Sequence, residues 1–234
     1  MSQTVTLAVK DANEMNAFVV MPEGEGPFPG VILFQEAFGV NAHIRDVAGR
    51  IAAEGYVVIA PELFHRTAPP GFETGYNDFS LVAPHFQALT LDHLINDATA
   101  AYNWLADNEN VITDKIGSIG FCLGGRVSFI ANSILPLAAA VSFYGGYSHT
   151  VAHLAPGMSA PHLFFWGGKD QHILPEHVAQ VIGAVKAAGK DYINVEISYA
   201  DHGFFCDARG AYNPQAAQEA WGMTKAFFKN KLAQ

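Results

Sequence analysis

The chain has two cysteines in 234 residues, and one of them stands between glycines. Gly120-Phe121-Cys122-Leu123-Gly124 follows an apolar run, Lys115 to Phe121, and opens the helical pattern "CLGGRVSFIANS". Strand, tight turn, helix is the setting of a nucleophile elbow, here with cysteine in the place of serine. A nucleophile on such a turn sits on strained backbone, and side chains two positions to either side would collide, which accounts for the glycines. The turn also places the thiol at a helix N-terminus, where free N–H groups and the helix dipole favour a thiolate. The N–H of Leu123 then points toward a developing oxyanion. The competing reading of Cys122 is a small apolar plug in the core.

An elbow predicts an acid and a histidine, in that order, after later strands. Asp170 follows the apolar run "HLFFWGG", and His202 follows "NVEISYA". The pattern predicts His202 as general base toward Cys122 and Asp170 as the carboxylate that orients the imidazole. The alternatives are a turn carboxylate and a solvated loop histidine. Glu36, at the end of a buried run, is a poorly solvated carboxylate that needs a partner. Arg126 is one candidate, and a structural Glu36–Arg126 pair is compatible with a catalytic role. His149 and His153 are four apart, a metal-ligand spacing on a helix. No glutamate lies between them and no third ligand follows, so they read as surface histidines and no metal is expected. Neither a dinucleotide fingerprint nor a phosphate-binding loop is present, so no cofactor is expected.

Elements that position these residues follow from short apolar runs alternating with helical periodicity, the mark of an α/β fold around a mostly parallel sheet. Strands are predicted over 5–9 and 16–21 at an antiparallel edge, then over 30–37, 56–64, 115–121, 138–145, 162–168 and 194–200. Helices are predicted over 42–54, ending at Gly55, over 89–108, from 122, over 175–188 and over 214–229. The expected whole is an α/β-hydrolase fold, one domain over 1–234, with about eight strands and helices on both faces. Residues 65–85, rich in Pro, Gly and Thr, read as a lid or substrate loop.

Composition narrows the partners. A formal charge of −9 with no basic cluster argues against nucleic acid and anionic membrane surfaces. No stretch reads as a signal peptide or a membrane span, and two cysteines imply no disulfide framework. A cytoplasmic protein is expected. The aromatic last helix, with Trp221, Phe227 and Phe228, packs on the sheet or forms a dimer contact, so monomer and homodimer both remain open.

"FQEAFGVN", "GFCLGGR", "WGGKDQHI" and "ADHGFF" resemble the dienelactone hydrolase (carboxymethylenebutenolidase) family, and the resemblance runs from Gly30 to Phe205. It implies a cysteine hydrolase of esters or lactones, with Cys122, Asp170 and His202 as the triad. It implies that Glu36 contacts the resting thiol and helps switch it to thiolate. It also implies an oxyanion hole from the N–H groups of Ala37 and Leu123. Dienelactone-cleaving members bind the substrate carboxylate with two arginines, one in the lid and one four residues after the histidine. Here position 206 is Cys206, and no arginine or lysine occurs from Thr67 to Ile95. Arg66 and Arg209 lie nearby in sequence but off the family positions. The expected pocket is therefore apolar, lined by Phe38, Tyr76, Phe79, His85, Phe86, Tyr144, Phe204 and Cys206, and a neutral ester or lactone is the expected substrate. Aryl phosphotriesters are a secondary expectation, being neutral and carrying a P=O oxygen. Alternative readings are a non-catalytic thiol sensor on a hydrolase scaffold, and peptidase or thioesterase activity on the same triad.

Overall fold

A computed structural model describes residues 1–11 and 13–232. β1 (Ser2–Ala8) and β2 (Glu14–Val20) form the expected antiparallel edge, each slightly ahead of its predicted span. β2 then pairs antiparallel with β4 (Val57–Pro61), which runs parallel to β3 (Phe28–Phe34). β5 (Val111–Phe121), β6 (Ala139–Phe143), β7 (His162–Gly167) and β8 (Tyr192–Ile197) complete a parallel series. The sheet order is β1-β2-β4-β3-β5-β6-β7-β8. From β3 the chain crosses to β4 on one side and returns to β5 on the other. Such a switch point opens a crevice at the carboxyl ends of the strands. Glu36 follows β3 and Cys122 follows β5, so the crevice lies between them.

The helices are α1 (Ala42–Ala53), α2 (Ala83–Gln87), α3 (Leu91–Ala106), α4 (Leu123–Ile134), α5 (Pro175–Ala187) and α6 (Pro214–Leu232). Asn41 caps α1 by accepting from the Ile44 N–H at 3.2 Å, and Thr90 caps α3 by accepting from the His93 N–H at 3.2 Å. Val31 to Phe34, Val57 to Ala60 and Val141 to Phe143 are buried throughout, as strands covered on both faces must be.

Several spans differ from expectation, three of them with a local cause. β3 ends at Phe34 rather than residue 37, because the Gln35 amide takes over the backbone there. Its Nε2 donates to the Glu36 carbonyl at 3.1 Å, and its Oε1 accepts from the Leu63 N–H at 3.1 Å. β5 begins four residues early, and its pairing to β3 slips between Phe28 and Gly30 to absorb the extra length. Ser148–Gly157 forms a 3₁₀ helix where none was predicted. Its Pro156 and small residues leave little amphipathic signal.

Segment 65–85 is shaped by polar pins. Arg66 forks onto the buried Asp97 of α3 at 2.9 and 2.7 Å, and its Nε donates to Asp11 at 2.7 Å. Glu73 pairs with Arg45 of α1, and Gly39 bridges Glu73. The Tyr76 hydroxyl accepts from the Asn41 amide at 2.9 Å. A one-turn 3₁₀ helix, Phe79–Leu81, and α2 follow.

Candidate active site

Cys122 caps α4 from a left-handed backbone position, φ 54°, at the end of β5. That conformation is rare for a residue with a side chain and costs of order 1–3 kcal/mol. The glycines around it relieve a second conflict. A Cβ on Gly120 would land on the Gly124 carbonyl, and one on Gly124 would land on the Phe34 carbonyl. The helix thus presses against the ends of β3 and β5, and the thiol stands partly exposed above the sheet. Ser142 ties this corner down by donating to the Gly125 carbonyl at 2.6 Å. The N–H groups of Ala37 and Leu123 engage no hydrogen-bond acceptor among the described residues. Both are therefore free donors.

Asp170 and His202, 32 residues apart in sequence, meet as expected. His202 Nδ1 lies 2.7 Å from Asp170 Oδ2, and both side chains are buried. The other carboxylate oxygen, Oδ1, accepts from the N–H groups of His172 and Ile173 at 2.7 and 2.9 Å. Asp170 is therefore fixed before it meets the imidazole. Burial opposes its charge, but the bonds from His202 and the two amides hold its pKa below the usual carboxylate range. Cys122 is the other group that acts on His202. Burial works against a charged His202. The Cys122 sulfur, with Asp170 adding to it, outweighs burial and pushes the imidazole up to about 10.

Glu36 is fully buried, and its partner is Arg209, not Arg126: Arg209 Nη1 lies 3.1 Å from Glu36 Oε1. The loop after His202 folds back over the end of β3 and brings the two together. Arg126 instead lays its guanidinium against the rings of Phe86 and Tyr147, 5.8 and 5.9 Å from their centroids. Among the described residues it has no carboxylate within ion-pair distance. Burial lowers its basicity, while the Cys122 sulfur works the other way.

Phe38, Tyr76, Phe79 and Phe86 form a continuous aromatic wall. Phe38 meets Tyr76 at 4.7 Å and Phe79 at 6.5 Å, and Phe79 meets Phe86 at 6.0 Å. Tyr147, which the sequence did not flag, extends it from Phe86 at 6.0 Å. His85 belongs to the packing of segment 65–85, bonded to Thr67 at 2.9 Å and edge-on to Phe72 at 4.6 Å. Tyr144, Phe204 and Cys206 do not line an open pocket. All three are at 0% exposure. The segment after His202 turns inward, so Phe204 packs beneath Tyr144 at 5.3 Å, and Tyr144 supports His202 from 5.1 Å. Cys206 points into the interior, where burial, reinforced by Glu36, pushes its thiol up to about 11.

His149 stacks on His177 at 3.9 Å, and His153 is exposed, so the pair shares no site. An open groove of about 570 Å³ between β7, β8 and α6 holds none of the candidate side chains. No described helix is long and apolar enough to cross a membrane.

The family profile described as dienelactone hydrolase family matches residues 15–232. A curated relative from Synechocystis sp., provisionally named carboxymethylenebutenolidase, is 34% identical, with 98% of each chain covered. A relative from Yersinia pestis with the same provisional name is 33% identical over 92% of this chain and 84% of its own. Among solved structures, a provisionally named dienelactone hydrolase from Klebsiella pneumoniae superposes with a TM-score of 0.86 at 29% identity, covering 97% of this chain and 98% of that one. A dienelactone hydrolase-like promiscuous phosphotriesterase from metagenomic libraries superposes with a TM-score of 0.85 at 24% identity, with 98% of each covered, a likeness of fold.

Proposed function

The chain belongs to the dienelactone hydrolase family and is a hydrolase of lactones or esters, and from that premise we propose that Cys122 is its nucleophile and that the reaction passes through a thioester. The single observation behind this reading is the Asp170–His202 pair at 2.7 Å beside Cys122 on its strained elbow after β5. The Cys122 sulfur attacks the carbonyl carbon, and the resulting oxyanion is held by the N–H groups of Ala37 and Leu123. The carbon–oxygen bond breaks, and the departing alkoxide takes the proton of the His202 imidazolium. In a lactone the alcohol stays tethered to the acyl group.

Acylation removes the charge that kept His202 protonated. The imidazole is then neutral and accepts a proton from water. The hydroxide attacks the thioester, the carbon–sulfur bond breaks, and thiolate and imidazolium return. Asp170 holds the tautomer throughout.

A neutral ester or lactone remains the proposed substrate. Arg209 is held by Glu36, and Arg126 serves as a counter-charge to the Cys122 thiolate. Neither is left over as a fork for a substrate carboxylate. The test is kcat/KM for a dienelactone and its neutral methyl ester, with Cys122→Ala as blank. The reading requires the methyl ester to win or tie. A hundredfold preference for the anion, about 2.7 kcal/mol, overturns the substrate reading and leaves the nucleophile untouched.

Aryl phosphotriesters are a second reading, supported by the same free amides. A P=O oxygen fits where the oxyanion would sit, the thiolate attacks phosphorus, and the aryloxide leaves. Turnover of a dialkyl aryl phosphate that vanishes in Cys122→Ala supports it.

A further inference from the structure

We propose that Glu36, His43 and Cys206 form a binding site for a borderline-soft divalent cation, with Zn²⁺ as the natural fit. All three side chains are buried, and each offers one ligand atom within 4.8 Å of the other two. Glu36 is at 0% exposure and His43 at 6%, yet Glu36 Oε2 and His43 Nε2 have no hydrogen-bond partner among the described residues. Buried polar atoms nearly always have one, so two orphans opening on the same interior space need an explanation. A cation between them and the Cys206 sulfur provides it.

The donor set selects the ion. An imidazole, a carboxylate and a thiolate together suit zinc and disfavour magnesium or calcium, which prefer oxygen. Zinc bonds of about 2.0–2.3 Å set ligand atoms roughly 3.3–3.8 Å apart, so the site must contract by about 1 Å. Surrounding residues are arranged for this. Asp207 Oδ1 lies 3.7 Å from His43 Nδ1, behind the other ring nitrogen, where a carboxylate orients a ligating imidazole. Arg209 occupies Glu36 Oε1 and leaves Oε2 available. Tyr76 adjoins Cys206, so the site also touches segment 65–85. On binding, the sulfur–metal bond forms and the thiol proton goes to solvent.

Cys122 takes no part, which gives a clean test. In full-length Cys122→Ala, Cys206 is the sole thiol. Titration with Co²⁺ is expected to give a sulfur-to-cobalt charge-transfer band saturating at one equivalent, with visible bands of four-coordinate intensity. One equivalent of Zn²⁺ erases both. Cys122→Ala/Cys206→Ser loses the charge-transfer band, with circular dichroism and melting without metal as the check on folding. If that variant does not fold, Cys122→Ala/His43→Gln is read instead, and its Co²⁺ affinity falls tenfold or more. Absence of the charge-transfer band in Cys122→Ala overturns the proposal. So does its persistence in Cys122→Ala/Cys206→Ser, or an unchanged affinity in Cys122→Ala/His43→Gln.

Discussion

Arg209 reaches across 173 residues of sequence to hold Glu36 Oε1 at 3.1 Å, fastening the loop after His202 to the end of β3. Glu36 has no solvent contact, so the pair behaves as a buried one. Removing the cation alone strands a carboxylate in the interior, at a cost of about 3–5 kcal/mol. Arg209→Met is expected to lower the melting temperature by several degrees. Adding Glu36→Gln recovers most of that loss. Equal melting of the single and double variants in calorimetry contradicts the pairing.

Arg126 is expected to act on the thiolate rather than on a substrate carboxylate. Arg126→Met should lower kcat/KM about tenfold, or about 1.4 kcal/mol, for a charged and an uncharged ester alike. It should also slow alkylation of Cys122 by neutral iodoacetamide. A loss confined to the anionic ester reassigns Arg126 to substrate binding.

Burial works against a charged His202, and Cys122 with Asp170 raises its pKa all the same. In the resting protein its NMR titration is expected near 10. Alkylating Cys122 with iodoacetamide removes the neighbouring charge, and the midpoint should fall by several units. The same coupling fixes a pH window for stability. A histidine whose folded value lies above its ordinary 6.5 contributes fully below 6.5, and the contribution drains away as pH rises toward 10. Unfolding by denaturant from pH 6 to 10.5 therefore shows alkaline destabilisation, and His202→Gln flattens it.

His162 carries the opposite sign. It is fully buried in β7, with Nε2 2.8 Å from Ser142 Oγ and Nδ1 3.2 Å from the Asn132 amide. Burial drops it to about 3. The unfolded chain binds a proton below 6.5 and the folded chain does not, so stability falls as pH drops from 6.5 toward 3. The total is on the order of several kcal/mol. Replacing His162 with phenylalanine should shallow the acid limb of the stability curve, even if it lowers the plateau. An acid limb of unchanged steepness contradicts this.

The elbow at Cys122 and the meeting of Asp170 with His202 were legible because each residue follows a strand. Cys122, Asp170 and His202 succeed β5, β7 and β8, and the apolar runs expose those ends in the sequence. Glycine on both sides of Cys122 reports a steric fact local to the turn. Partnerships between loops were not legible. Arg209 finds Glu36, and His43 finds Cys206, only because α1 and the loop after His202 pack on the same side of β3 and β5. Neither spacing carries a period. Phe204 and Cys206 were misplaced in the pocket for a related reason. Standing close to His202 in sequence says nothing about which way a turning chain points its side chains.

The central claim is that a covalent bond forms at Cys122. Rapid acid quench during turnover of an aryl acetate, followed by peptide mass analysis, tests it most directly. The account predicts one acetyl group on the peptide containing Cys122, with none on that peptide and no phenol released in Cys122→Ala. Undiminished hydrolysis by Cys122→Ala, or an acetyl group placed elsewhere during full turnover, would contradict it.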